Sequence, residues 1–133
     1  MSGTPPSPAL GSIGQIAVNV QDLERAVGFY RDRLGLPFLM EVPGMAFFDC
    51  GGTRLMLGLP ESEEYDHAAS ILYFRVDDIG ATHAALTERG VDFRREPHLI
   101  AKMPDHDLWM AFFYDSEGNT MALMSEVPRG GEA

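Results

Sequence analysis

Two stretches of this chain are versions of one another, and that repetition constrains the fold more than any other feature. Gln15 to Leu36 reads QIAVNVQDLERAVGFYRDRLGL, and Ile71 to Val91 reads ILYFRVDDIGATHAALTERGV. Each opens with a β-rich run ending at Val20 or Val76. Each then sets an Asp, Asp22 or Asp78, where a helix N-cap belongs, because its carboxylate accepts hydrogen bonds from orphan backbone N–H groups. Leu23, Ala26, Val27, Tyr30 and Leu34 recur at helical spacing in the first helix. Ile79, His83 and Leu86 do so more weakly in the second. Gly35 and Gly90 stand where a chain leaves a helix through a left-handed residue.

The repeat continues beyond each helix. After Gly35 come LPFLMEV, a Pro43-Gly44 turn, MAFFDC, a Gly51-Gly52 turn and TRLMLGL, which read as three strands joined by hairpins. After Gly90 come VDFRREP, a longer segment reaching Asp107, then LWMAFFY, the turn DSEGN and TMALMSE. The predicted architecture is α+β: two βαβββ modules whose mostly antiparallel sheet carries helices on one face. The expected boundaries are a flexible tail over 1–12, modules over 13–59 and 70–127, an acidic linker over 60–69 and a C-terminal tail over 128–133.

The uncovered face is the informative one. Ile16, Val18 and Val20 form one side of the opening strand, and Gln15, Ala17 and Asn19 the other. In the second module Leu72, Phe74 and Val76 oppose Ile71, Tyr73 and Arg75. The wholly apolar sides belong under the helices. The mixed sides, with an amide, a phenol and a guanidinium among apolar residues, have the chemistry of a ligand pocket. Thr120, Ala122 and Met124 on the closing strand extend that face, and Trp109 with its neighbouring aromatics could stack on a planar ligand.

Composition removes several classes of partner. Ten Lys and Arg against 20 Asp and Glu give a net charge of -10, which repels nucleic acid and anionic membrane. No apolar run reaches the ~18 residues of a membrane span, and MSGTPPSPALGS lacks the basic start and apolar core of a signal peptide. Cys50 is the only cysteine, so no intramolecular disulfide forms and a reducing, cytoplasmic setting is expected.

The segments QIAVNVQDLERAVGFYRDRLGL, VDDIGATHAALTERGV and FFYDSEGNTMALM, in this order, resemble the vicinal oxygen chelate superfamily over residues 13 to 127. That superfamily includes glyoxalase I, extradiol dioxygenases, methylmalonyl-CoA epimerase, and fosfomycin- and bleomycin-resistance proteins. The resemblance implies paired modules forming a cup-shaped sheet, usually in a homodimer. It also implies where metal-using members take their ligands: here those positions hold Gln15 and Ile71 on the opening strands and Met56 and Ala122 on the closing strands. Ile and Ala offer a cation nothing, and a thioether is a soft ligand. No metal and no cofactor is therefore expected.

Three functions fit these residues. A metal-free protein of the bleomycin-resistance type would hold a partly apolar, aromatic small molecule against Gln15, Asn19, Met56, Ile71, Tyr73 and Arg75 on one side and Trp109, Ala122 and Met124 on the other. A metal-free isomerase, cyclase or lyase would use the same pocket, with Tyr73, His98 or His106 as general acid or base. A metal-dependent lyase or dioxygenase would need a displaced site, for which the sequence shows no ligand set.

Overall fold

The computed structural model describes residues 10–60 and 70–129. The expected linker beyond Pro60, with His67, and most of both tails lie outside them. The first half runs β1 (Gln15–Asn19), α1 (Leu23–Gly28, continued by a π turn over Phe29–Arg33), β2 (Phe38–Val42), β3 (Met45–Cys50) and β4 (Thr53–Gly58). The second runs β5 (Leu72–Arg75), α2 (Ile79–Glu88), β6 (Asp92–Phe93), β7 (His98–Lys102), β8 (His106–Tyr114) and β9 (Thr120–Pro128).

Each half is one sheet. The first is ordered β1-β4-β3-β2; the second is ordered β5-β9-β8-β6, with β7 also on β8. Only β1–β4 and β5–β9, the opening and closing strands of each half, are parallel; the remaining pairs are antiparallel. The helices begin as the caps require: Asp22 accepts from the Arg25 N–H and Asp78 from the Ala81 N–H. They end at Gly35 and Gly90, with φ of 77° and 90°, a conformation that disfavours any Cβ.

The buried side of both sheets is the aliphatic one. Val18, Phe48, Leu55 and Leu57 pack with Ala26, Val27 and Tyr30 of the first helix, while Phe113, Met121 and Leu123 pack with Ile79 and Leu86 of the second. These residues form a single core spanning both halves. At roughly 1.5–3 kcal/mol per fully buried large side chain, this layer is the main source of stability.

Three features depart from the sequence reading. The first helix is one residue longer between cap and glycine than the second. The π turn absorbs that residue, with the Leu34 N–H donating to the Phe29 carbonyl five residues back. The segment reaching Asp107 is not a loop: His98–Lys102 is a strand paired with β8, which begins at His106 rather than Leu108. The closing strand also extends to Pro128, past the expected boundary at 127.

Candidate functional site

The open face of the first sheet is built on β1, β4 and β3. Gln15 sits opposite Arg54 and Ala17 opposite Met56, which in turn faces Phe47. The Gln15 amide is held at both ends: Arg54 Nε donates to its Oε1 at 2.7 Å, and its Nε2 donates to Met56 Sδ at 3.8 Å. The Arg54 guanidinium lies 5.3 Å over the Phe47 ring, a cation–π contact. Asn19 lies half-buried at the end of β1, where its carbonyl accepts from Asn119 Nδ2.

The second sheet carries the more apolar part of the face. Tyr73 pairs with Ala122, and Arg75 with Met124. The Tyr73 ring meets Phe112 edge-on at 6.1 Å. Ala122 is fully buried beside them, so a short side chain forms the floor where a longer one would fill the space. Tyr73 itself is 46% exposed and Ile71 42%. Arg75 points into solvent, with Nη2 at 3.8 Å from Glu126.

Trp109 does not join this face. It alternates with Ala111 and Phe113 and packs against the core, so Met110 and Phe112 take the place the sequence reading gave it. The two histidines are also set apart from Tyr73. His98 Nε2 lies 2.9 Å from Arg95 Nη2; because arginine can only donate, Nε2 is the acceptor and Nδ1 carries the proton toward the Glu96 carbonyl. His106 pairs with Pro128, about 20 Å along β9 from Ala122 and Tyr73. Its Nδ1 is 2.7 Å from Asp105, whose carboxyl this contact holds below its ordinary range, and its Nε2 is 3.9 Å from Glu126.

A hard divalent cation finds poor ligands here. Gln15 is the only one of the four implied positions with a hard donor, and its oxygen already faces the Arg54 guanidinium. Among the described residues no three His, Cys, Asp or Glu side chains converge. The donor set does not fit such an ion.

Two further features were not visible in the sequence. The first is the contact between the halves along α1 and its π turn. Tyr30, fully buried, donates its O–H to Asp115 Oδ2 at 2.7 Å. Asp115 also accepts from the N–H groups of Glu117 and Asn119. Burial, and then the Asp115 charge, push the Tyr30 hydroxyl well above the ordinary phenol range. Glu117 reaches back to the Gln21 and Asp22 N–H groups and to Arg25 Nε at 2.8 Å. Its side chain is 1% exposed, and the Arg25 hydrogen bond, aided by those N–H donors, lowers its pKa to about 2. The sequence shows the turn chemistry of DSEGN, but nothing in it announces a partner 85 residues away.

The second is a cavity of about 880 Å³ between α2, the edge of β5 and the β3–β4 turn. Of the proposed ligand positions its wall takes Tyr73 and Arg75 but not Gln15, Asn19, Met56, Ile71, Trp109, Ala122 or Met124. It is separate from the rest of the open face.

With the paired βαβββ sheets and this open face in view, the family is clear: the chain belongs to the Glyoxalase/Bleomycin resistance protein/Dioxygenase superfamily, whose model matches residues 12–124. The chain is 30% identical to the protein YraH of Bacillus subtilis, covering 82% of this chain and 94% of that one. In structure it is similar to TnmS3, an antibiotic binding protein from Streptomyces, at 26% identity and TM-score 0.71, covering 90% and 98% of the two chains. It is likewise similar to a lactoylglutathione lyase from Agrobacterium tumefaciens, at 25% identity and TM-score 0.72, covering 91% and 95%. Its relatives thus include both binders and lyases. No described helix is long and apolar enough to cross a membrane.

Proposed function

We propose that this protein binds a small, partly apolar aromatic molecule on the open face of its sheets, without a metal or other cofactor. The observation that carries the reading is the Tyr73–Phe112 edge over the small floor residue Ala122, with Met124 beside it and Arg75 at the margin. An aromatic ligand can extend that edge-to-face stack, while Arg75 and Gln15 fix its polar groups. Ile71, Met56 and Asn19 complete the surface. The likeness to an antibiotic-binding protein supports sequestration as the task. A homodimer in the cytoplasm agrees with the half-buried free thiol and with the exposed Phe38, Leu39 and Met40 on the outermost strand of the first sheet.

A metal-free enzyme on the same face would rest on Tyr73, because both His98 nitrogens are engaged and His106 lies too far along the sheet. The two readings separate in one screen. A bound aromatic compound at a hundredfold over its Kd should stabilise the fold by about 2.7 kcal/mol in thermal unfolding, with or without chelator. Arg75→Ala should weaken that binding while shifting stability by no more than about 0.5 kcal/mol, since the side chain is 68% exposed. Product formation by chelator-treated protein, lost in Tyr73→Phe, would replace binding with catalysis.

A further inference from the structure

The repeat creates two equivalent junctions between the halves, and only one is filled. In the first, the β8–β9 turn meets α1 through Asp115 with Tyr30 and Glu117 with Arg25, while Asn119 donates to Asp115 and to the Asn19 carbonyl. Aligning Asp22 with Asp78 and Phe48 with Phe113 puts Leu86 in the place of Tyr30 and Ala81 in the place of Arg25. The same alignment puts Cys50 in the place of Asp115 and, through the paired turn glycines Gly52 and Gly118, Thr53 in the place of Asn119. Glu117 has no counterpart, because the β3–β4 turn is one residue shorter. All four replacements are smaller or less polar than their counterparts, and all four line the 880 Å³ cavity. The cavity lies where, in the other half, a phenol ring, a guanidinium arm and a carboxylate arm pack between helix and turn.

We propose that this cavity is a second binding site, sharing only Tyr73 and Arg75 with the open face, for a flat and largely apolar aromatic compound bearing a hydroxyl. Its inner walls include Leu36, Phe113 and Leu123, which suit an aromatic ring; Tyr30 shows that a ring fits the equivalent place between helix and turn. Its volume falls within the range of small-molecule sites. The rim is mixed: besides the Asp49 Oδ1 that accepts from the Gly52 N–H and the Arg89 Nη1 that donates to the Arg33 carbonyl, Asp49, Arg89 and Thr82 carry further acceptors and donors, which suits a neutral hydroxyl better than a full charge. Such a ligand would close the second junction as Tyr30 closes the first. The free edge of β5 contributes to one wall: the Val76 N–H turns toward β9, so the main-chain groups of Tyr73 and Arg75 turn the other way, toward the cavity.

Cys50 is the only thiol in the chain and lines the cavity, so it reports on occupancy directly. The probe is 2-naphthol, whose two rings approximate the missing ring and arm. At ten times its Kd, 2-naphthol should slow N-ethylmaleimide labelling of Cys50 about tenfold, because only the empty protein reacts. Amide NMR shifts should cluster at Ala81, Ala85 and Thr53. Ala85→Trp, which fills the cavity from α2, should abolish the protection; if that variant does not fold, the shift map of the unaltered protein decides. An unchanged labelling rate at saturating 2-naphthol would overturn the proposal, as would shifts confined to Phe112 and Met124. The latter outcome would leave the open-face reading intact.

Discussion

The two junctions between the halves share a backbone plan and differ in what fills them. At the first, a buried phenol, a buried carboxylate and an ion pair are all satisfied by one another and by the turn's own N–H groups. At the second, the corresponding side chains are Leu86, Cys50 and Ala81, and space remains. Buried polar groups of the first kind hold only while the network is complete, because each partner removed leaves a desolvated group behind. An apolar gap has no such dependence. The first junction should therefore be intolerant of substitution and the second permissive.

Exchanging residues between the junctions tests this directly. The largest effect is expected from Tyr30→Leu, which carries the second junction's residue into the first. It removes a fully buried ring and leaves Asp115 short of a donor, so the midpoint of urea unfolding should fall by the equivalent of about 4 kcal/mol. Acid should come next. Glu117 has a folded pKa of about 2, below its unfolded value, so its contribution is present at neutral pH and is lost as pH falls through about 2. Unfolding measured from pH 6 down to pH 2 should reveal about 3 kcal/mol of acid-sensitive stability. Glu117→Gln should start lower at neutral pH and show a flatter acid limb. Tyr30→Phe keeps the ring and removes only the O–H, so about 2 kcal/mol should be lost. Leu86→Tyr, the reverse exchange, should change stability by no more than about 1 kcal/mol, because the added ring has a cavity to enter. A cost for Leu86→Tyr equal to that of Tyr30→Leu would show the second junction to be as tightly specified as the first.

Local chemistry made much of the architecture legible. Asp22 and Asp78 cap the helices, Gly35 and Gly90 end them, and the alternation in β1 and β5 separates core from open face as the side-chain chemistry indicates. Where alternation fails, so does the reading. LWMAFFY is apolar on both faces, so nothing in it says which way Trp109 points; only its pairing with the neighbouring strands does. HLIAK was hidden in the same way, since its strand character depends on β8 lying beside it. The Tyr30–Asp115 contact and the cavity are products of tertiary packing, and no local pattern carries them; the π turn shows in the sequence only as the extra residue between Asp22 and Gly35. Among the candidate site residues, Gln15 contacts Met56 and Tyr73 pairs with Ala122, whereas Trp109 and His106 lie elsewhere.

β1 and β5 are each the outermost strand of a sheet, and among the described residues no ladder hydrogen bond stitches one sheet to the other. The halves are therefore held without a ladder: by the shared core, by Tyr30–Asp115 and Arg25–Glu117 at one junction, and by Arg33 and Arg89, which donate to the Gly90 and Arg33 carbonyls between the helix ends. With no backbone pairing between them, the angle of one sheet to the other is set by these side-chain contacts.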